Sequence, residues 1–153
     1  MLQDVYGRVV DGLDRGIIDH LTRDGRATYG AIGAAVGLSA PAVKRRMDGL
    51  VHDGIIRRFT IEVDHVQLGI NLEAFTELTF SGDTRVDVIA SVGRGIPEVQ
   101  RVFTMAGDPD AVAWLRVRDV ADLQRVVDLL RAGGHVTGTK TMIVLQSSAG
   151  EPA

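Results

Sequence analysis

One segment constrains the fold of this chain more than any other, and it runs from Leu38 to Gly54. Ser39 is suited to cap a helix with its hydroxyl, and Pro41 falls in the first turn, where its missing N–H costs little. Apolar residues then recur at helical spacing on one side, and basic residues lie on the other. The apolar residues are Val43, Met47, Leu50 and Val51, and the basic ones are Lys44 and Arg45, with Arg46 at the boundary. This pattern predicts a DNA recognition helix.

Two further helices are predicted before this segment. The first runs from about Leu13 to Arg23, and a shorter one runs from Thr28 to Val36 and ends at Gly37, which permits a left-handed turn. Three such helices can enclose a small core, so the region is predicted to be a helix-turn-helix domain. From Ile55 to Val63 the residues become typical of a strand, which indicates a wing or a connecting strand.

Basic residues are concentrated in this region although the whole chain is acidic. The formal net charge is −3, yet basic residues outnumber the two acidic ones, Asp48 and Asp53, between Ser39 and Thr60. A local basic patch favours a directed contact with phosphate groups. A three-helix bundle with a solvated basic face is the alternative interpretation. The basic residues of this stretch are Lys44, Arg45, Arg46, Arg57 and Arg58.

Composition excludes several classes of site. The chain has 153 residues, 45% of them hydrophobic, so it can bury a core in two small domains. The absence of cysteine excludes disulfides, thiol nucleophiles and thiolate metal sites, and the four histidines lack metal-ligand spacing. There is no phosphate loop, nucleophile motif, signal-peptide pattern or bilayer-spanning apolar run. The sequence predicts a cytoplasmic protein that is not an enzyme, holds no metal or cofactor and does not enter a membrane.

Strand-like and helix-like segments alternate in the second half. Their order, βαββαβ, predicts a ferredoxin-like sandwich with both helices on one face of a four-stranded sheet, and hence an α+β fold. The turn Gly107-Asp108-Pro109-Asp110 has the composition of a hairpin connection. The predicted strands are 71–80, 98–105, 111–117 and 139–145, and the predicted helices start near Val86 and Val120, the second ending at Gly133-Gly134.

Several of these strands carry apolar residues on both faces. Strict alternation leaves an apolar face opposite the helices, which a monomer could not easily keep in water. We therefore predict a dimer formed through the sheet, with coverage by the N-terminal domain or the linker as the alternative. The residues assigned to this face are Phe75, Val102, Val112, Trp114, Met142 and Val144.

Short motifs in both halves match one known family. They include Val10-Asp11-Gly12-Leu13-Asp14, Asp24-Gly25-Arg26-Ala27-Thr28, Val36-Gly37-Leu38-Ser39, Gly54-Ile55-Ile56, Leu68-Gly69, and Gly107 with Asp110. With them, nearly the full chain resembles the Lrp/AsnC, or feast-famine, transcriptional regulators. The resemblance implies a winged helix-turn-helix domain at 1–60, a linker strand at 61–70, a ligand-sensing and oligomerisation domain at 71–146, and a disordered tail at 147–153.

The resemblance also implies double-stranded DNA as the partner. Base-edge contacts carry sequence choice, and phosphate contacts carry most of the salt-sensitive affinity. Paired recognition helices imply pseudo-palindromic half-sites about one helical turn apart. We assign the major groove to Ser39, Ala40, Pro41, Lys44 and Arg45, and the phosphates to Thr28, Arg46 and Arg57.

In this family dimers commonly join into octamers, and a small molecule, often an amino acid, binds where dimers meet. By resemblance, the hairpin turn and a loop at 136–139 form that site. Asp110 or a carbonyl near Met105 would accept from the ammonium group, and loop N–H groups would hold the carboxylate. The effector-binding residues are then Met105, Ala106, Gly107, Asp108, Asp110, Val136, Thr137, Gly138 and Thr139.

Two departures from the family pattern and two alternatives accompany this interpretation. Gly33 stands where alanine is frequent, which weakens the second helix by up to about 1 kcal/mol. Pro109 stands where an aromatic residue is common, which leaves open an effector-insensitive, DNA-organising protein. Tetrapyrrole (sirohaem) decarboxylases resemble the family in layout, but such an enzyme needs histidine and basic residues around the second domain, where only His135 is present.

Overall fold

Three helices build the N-terminal unit of the computed structural model, which describes residues 9–147. Their apolar stripes meet in one core, in which Ile17, Ile32, Val43 and Leu50 are fully buried. A short turn joins the second helix to the third, which confirms the predicted helix-turn-helix. The helices are α1 (Gly12–Arg23), α2 (Tyr29–Val36) and α3 (Ala40–His52).

Local capping sets the ends of α1 and α2. The Asp11 carboxylate accepts the N–H of Asp14 at 2.8 Å, and Thr28 Oγ1 accepts the N–H of Ala31 at 3.2 Å. Gly37 has φ 74°, in the left-handed region that favours glycine, and it ends α2. These groups pair with backbone atoms that the helix ends leave without partners. The ends of α1 and α2 can therefore be predicted from the residues that cap them.

Gly33 is buried in α2 at the point where the helix packs against the turn that follows it. A Cβ at this position would lie 2.3 Å from the carbonyl oxygen of Leu38. The N–H of Leu38 also donates to the Gly33 carbonyl at 2.9 Å, which holds the turn close. Gly33 lowers the intrinsic stability of α2, but the close approach of the turn requires a residue without a side chain at this position.

We expect Gly33→Ala to destabilise the N-terminal unit by about 1–3 kcal/mol, because the turn must shift to admit the methyl group. Gly30→Ala is the matched control in the same helix, since its Cβ would lie 3.9 Å from Thr28 Oγ1. The control should gain up to about 1 kcal/mol from helix propensity. Urea denaturation followed by circular dichroism compares the two, and a Gly33→Ala variant as stable as the parent would contradict the close approach.

The segment after α3 differs from the prediction. Residues 55–63 form no ladder with any described part of the chain, so the predicted wing is absent there, and the predicted linker strand at 61–70 contains instead a 3₁₀ helix, Val66–Leu68. The β-type side chains are present, but a strand also needs a neighbour to pair its backbone groups. Phe59 and Ile61 are exposed, and the chain divides into two units between Val63 and Asp64.

The C-terminal unit is a four-stranded antiparallel sheet with the order β2-β3-β1-β4, which confirms the ferredoxin-like βαββαβ fold. Helices α4 and α5 cover one face, and Ile89, Leu123 and Val126 pack there against Leu78 and Leu115. The elements are β1 (Leu72–Phe80), α4 (Val86–Ser91), β2 (Val99–Thr104), β3 (Ala111–Val117), α5 (Val120–Arg131) and β4 (Val136–Ile143).

A β-bulge in β2 changes which residues face the helices. Val99 pairs with Leu115 and Val102 with Ala113, so both valines lie on the covered face although they are three residues apart. The assignment of Val102 to the open face is therefore wrong, because strict alternation fails where an extra residue enters one strand. Val144 lies just beyond β4 and donates its N–H to Glu73. The open face instead carries Phe75, Phe103, Val112, Trp114 and Met142, with the rings of Phe75 and Trp114 stacked at 6.5 Å.

A charged network holds the start of α5. The Asp122 side chain is 3% exposed and accepts hydrogen bonds from Arg118 at 3.2 Å and from Arg125 at 2.7 Å, and Arg125 also reaches Glu98 before β2. The Arg118 and Arg125 guanidinium groups hold the pKa of Asp122 well below its ordinary value. Asp119 caps the same helix by accepting the N–H of Asp122 at 2.8 Å. Asp122 thus stabilises the folded unit as a carboxylate.

This lowered pKa gives stability a defined pH dependence. The unfolded carboxyl has a pKa of about 3.9, so the contribution of Asp122 is fully present above that pH and is lost as the pH falls below it toward the folded value. We expect Asp122→Asn to cost about 1–2 kcal/mol at pH 7 and progressively less on acidification below about pH 4. Urea denaturation of the parent and the variant between pH 7 and 2.5 measures this. A pH-independent difference would contradict the assigned role.

Three predictions from the sequence concern the C-terminal tail, membrane helices and metal sites. The predicted disordered tail at 147–153 lies, except for Ser147, outside the described residues. Within residues 9–147 no helix is both long enough and apolar enough to cross a membrane, and no group of three His, Asp or Glu side chains is placed to hold a metal ion.

Candidate functional site

The outward face of α3 presents most of the residues that were assigned to the major groove. Ser39, Pro41, Lys44 and Arg45 are exposed, and Ala40 is partly buried. Ser39 occupies the N-cap with an extended backbone, but its hydroxyl makes no capping bond, contrary to the prediction. Its carbonyl instead accepts the N–H of Val43 at 3.0 Å. The N-cap and the first two turns of α3 therefore expose a hydroxyl and two cationic side chains.

Lys44 and Arg45 differ in their surroundings. Lys44 Nζ lies 2.6 Å from Asp48 Oδ2, and this hydrogen bond raises the pKa of Lys44. Both side chains are more than half exposed, so the pair contributes little to stability and a phosphate can displace it. Arg45 makes no ion pair within residues 9–147, and Arg57 is exposed as well. Arg45 is thus the cation on α3 best placed to contact a partner.

Arg46 makes two ion pairs within the N-terminal unit, and its predicted phosphate contact stays a prediction. Its Nη1 lies 2.8 Å from Asp11 Oδ2 and 2.9 Å from Asp14 Oδ1. Asp14 is 1% exposed, so its carboxylate is buried beside the guanidinium. The N–H of Asp14 and the Arg46 guanidinium hold the pKa of Asp11 below its ordinary value. Arg46 therefore joins α3 to the start of α1, and the two aspartates at spacing three were the available sequence signal.

Thr28, which was predicted to contact a phosphate, has a structural role as well. The residue is exposed at the N-cap of α2, where its Oγ1 accepts the N–H of Ala31. A hydroxyl that accepts one hydrogen bond still has a proton to donate. Thr28 can therefore cap α2 and donate to a phosphate oxygen at the same time.

The second candidate site lies in the C-terminal unit, where β1 ends. Asp110 Oδ2 accepts the N–H of Phe80 at 2.8 Å, and the carbonyl of Asp110 accepts the N–H of Met105 at 2.8 Å. On the other side of β1, Phe80 pairs with Val136 and Thr137 Oγ1 donates to the Thr79 carbonyl at 3.2 Å. The β2–β3 turn and the start of β4 therefore lie at the same end of the sheet. Phe80 connects them through its backbone, and nothing in the sequence indicated this.

The predicted loop at 136–139 is in fact the beginning of β4. Gly138 pairs with Thr79 and Thr139 with Leu78, because β1 extends far enough to provide partners. Since β4 is an edge strand, half of its backbone groups face away from β1. The other predicted contacts, Met105, Ala106, Gly107 and Asp108, are exposed in the β2–β3 turn. The site therefore combines an exposed turn, a partly buried carboxylate and an edge strand.

Comparisons with known proteins agree with this architecture. Residues 10–51 match the AsnC-type helix-turn-helix domain, and residues 73–152 match the Lrp/AsnC ligand binding domain. The chain is 34% identical over 138 residues to the HTH-type transcriptional regulator Rv2324 of Mycobacterium tuberculosis, covering 90% of this chain and 93% of that protein. It is 30% identical to the regulator FL11 of Pyrococcus furiosus, covering 90% and 91%. A solved structure of the feast or famine regulatory protein Rv3291c of M. tuberculosis, complexed with L-methionine, has a TM-score of 0.87 at 26% identity and covers 95% of this chain and 98% of that one.

A helix-turn-helix followed by a ferredoxin-like regulatory domain defines a class of DNA-binding transcriptional regulators. The chain belongs to the Lrp/AsnC family of that class. Its relatives are named transcriptional regulators rather than enzymes, so the decarboxylase alternative is not supported.

Proposed function

We propose that the protein is a sequence-specific, homo-oligomeric DNA-binding regulator whose DNA binding responds to an amino acid. The observation that carries the DNA-binding role is the exposure of Ser39 at the N-cap of α3 and of Lys44 and Arg45 on the same helix of a helix-turn-helix. α3 enters the major groove, Arg45 and Lys44 contact base edges, and Thr28 and Arg57 contact phosphates. The cytoplasmic location stays a prediction from the sequence.

The open face of the sheet supports the proposed oligomer. Phe103 and Met142 are 40% and 43% exposed. Together with the stacked rings of Phe75 and Trp114 they form an apolar surface on the open face. Burying this surface against a second copy removes it from water. A dimer then presents two α3 helices to half-sites about one helical turn apart. Further joining of dimers into octamers rests on the family resemblance.

The effector site is proposed at the end of β1. Asp110 accepts a hydrogen bond on one carboxylate oxygen, so the other can accept from an ammonium group, and edge-strand N–H groups of β4 suit a carboxylate. The bound L-methionine of the Rv3291c structure supports an amino acid as the ligand class. Such a ligand shifts DNA binding only if it binds two assemblies or conformations with unequal affinity.

A competition titration tests this proposal. DNA from upstream of the protein's own gene is titrated against random DNA at fixed salt, with and without a panel of amino acids. Selective binding that one amino acid shifts is the expected result. Selective binding that none shifts would remove the sensing role and favour the effector-insensitive alternative, and no selectivity would overturn the regulatory role.

A further inference from the structure

A carboxylate lies among the cations on the exposed side of α3. Four residues at positions i, i+3, i+4 and i+7 share one face of this helix, because that spacing returns side chains to the same side. All four are exposed, and they are Pro41, Lys44, Arg45 and Asp48. The helix face that is proposed to enter the major groove therefore brings a negative charge to a ligand that is itself strongly negative.

The stability of α3 gives little reason for Asp48. Aspartate is among the weaker helix-forming residues. In its ion pair with Lys44 the acidic residue follows the basic one, and this order stabilises a helix less than the reverse order. The Lys44 and Asp48 side chains are 58% and 59% exposed, so solvent weakens their attraction further. The carboxylate therefore adds little to the free energy of unfolding, and its larger effect is expected on what α3 binds.

Asp48 opposes the binding of DNA in two ways. Lys44 Nζ lies 2.6 Å from Asp48 Oδ2, so a DNA group that takes the Lys44 ammonium must compete with this carboxylate. The phosphates also repel the carboxylate as α3 approaches the groove. Both effects disfavour DNA of any sequence. They are offset only where a base edge donates a hydrogen bond to the carboxylate in place of the water that it loses.

We propose that Asp48 is a specificity-determining residue of α3, which accepts a hydrogen bond from the amino group of a cytosine and disfavours DNA that offers none. This inference rests on the DNA-binding function proposed above. In the major groove an aspartate can accept from cytosine N4, and guanine presents acceptors at O6 and N7 that suit the Lys44 ammonium. Lys44 and Asp48, one helical turn apart, thus match the edges of guanine and cytosine. A repulsive group adds discrimination that attractive contacts alone do not supply.

Asp48→Asn removes the charge with almost no change of shape. Measured on the full chain by fluorescence anisotropy, the variant should bind random DNA about 3- to 10-fold more tightly, because the repulsion and the competition for Lys44 are lost. The log–log salt slope on random DNA should steepen by about one, since Lys44 can then neutralise a phosphate. Affinity for the sequence that the parent prefers should not rise, because the lost charge-assisted hydrogen bond offsets the same gain. The ratio of the two affinities then falls at least about 3-fold.

Asp19→Asn is the matched control for the loss of one negative charge. Asp19 is exposed on α1 and makes no ion pair with any residue between 9 and 147. Both DNAs should respond equally to this change, and by less than about 2-fold, because salt screens an exposed charge that is not at the interface. An Asp48→Asn variant that gains affinity equally on both DNAs, or that behaves as Asp19→Asn does, would overturn the proposal.

Selection from a library of randomised duplexes identifies the base. The parent should prefer cytosine at one or more positions of each half-site, and Asp48→Asn should lose that preference at one of them and keep the others. An unchanged profile of base preferences, or a loss confined to an A·T pair, would contradict the role given to Asp48 while leaving the regulatory function intact. A parent that selects no sequence would overturn the proposed function, and this inference with it.

Discussion

Replacing Arg46 with alanine should destabilise the N-terminal unit more than any other single change of charge on α3. The guanidinium lies 2.9 Å from the Asp14 carboxylate, which is 1% exposed, so the variant leaves that buried charge without its arginine. Removing the arginine of a buried ion pair is costly because the remaining carboxylate has already lost most of its water. Hydrogen exchange of the core amides of Ile32 and Leu50 measures the effect, and we expect protection to fall on the order of 100-fold.

Lys44→Ala is the matched control for this prediction. It removes one cation from the same helix, but the Lys44–Asp48 pair is exposed, so protection should change less than about 3-fold. If the Arg46→Ala variant kept its hydrogen-exchange protection but bound DNA more weakly, the result would support the phosphate contact that the sequence predicts for Arg46. Similar small effects for both variants would show that the Arg46–Asp14 pair does not hold α3 to α1.

Arg45→Ala should weaken binding to the operator by about 10- to 100-fold, corresponding to ~1–3 kcal/mol, if Arg45 contacts a guanine edge. The residue is exposed on α3 and makes no ion pair within residues 9–147, so its removal should leave the free energy of unfolding nearly unchanged. Fluorescence anisotropy with operator and random DNA at the same salt concentration measures the two affinities. This expectation depends on the proposed DNA-binding function.

Arg131→Ala controls for the loss of one positive charge. Arg131 is exposed at the end of α5, in the C-terminal unit. Its replacement should change the affinity for neither operator DNA nor random DNA. A specific loss on operator DNA assigns Arg45 to base readout. An equal loss on both DNAs would assign it to phosphate contact and would lower the salt slope by about one.

The candidate DNA surface could largely be predicted from the sequence, and the effector site only in outline. Lys44 and Arg45 follow from the period of one helix, because 3.6 residues per turn sets which side chains avoid the buried stripe. Ser39 follows from its place just before the helix. The segments around Asp110 and Val136 were identified by resemblance, whereas their meeting at Phe80 depends on the pairing of β1 with β4. The contact between Arg116 and His65 had no sequence signal, since the two residues are separated by 51 positions.

The sequence by itself determined the features that depend on residues close together in the chain. The apolar stripes, the caps Asp11 and Thr28, the left-handed Gly37 and the order of strands and helices all depend on contacts within a few residues. The tertiary structure alone decided that Arg46 pairs with Asp14, that Gly33 must lack a side chain and that Val102 faces the helices. Each of these depends on which distant segment or turn packs against the residue, and a bulge, a close approach or a buried carboxylate leaves no periodic pattern in the chain.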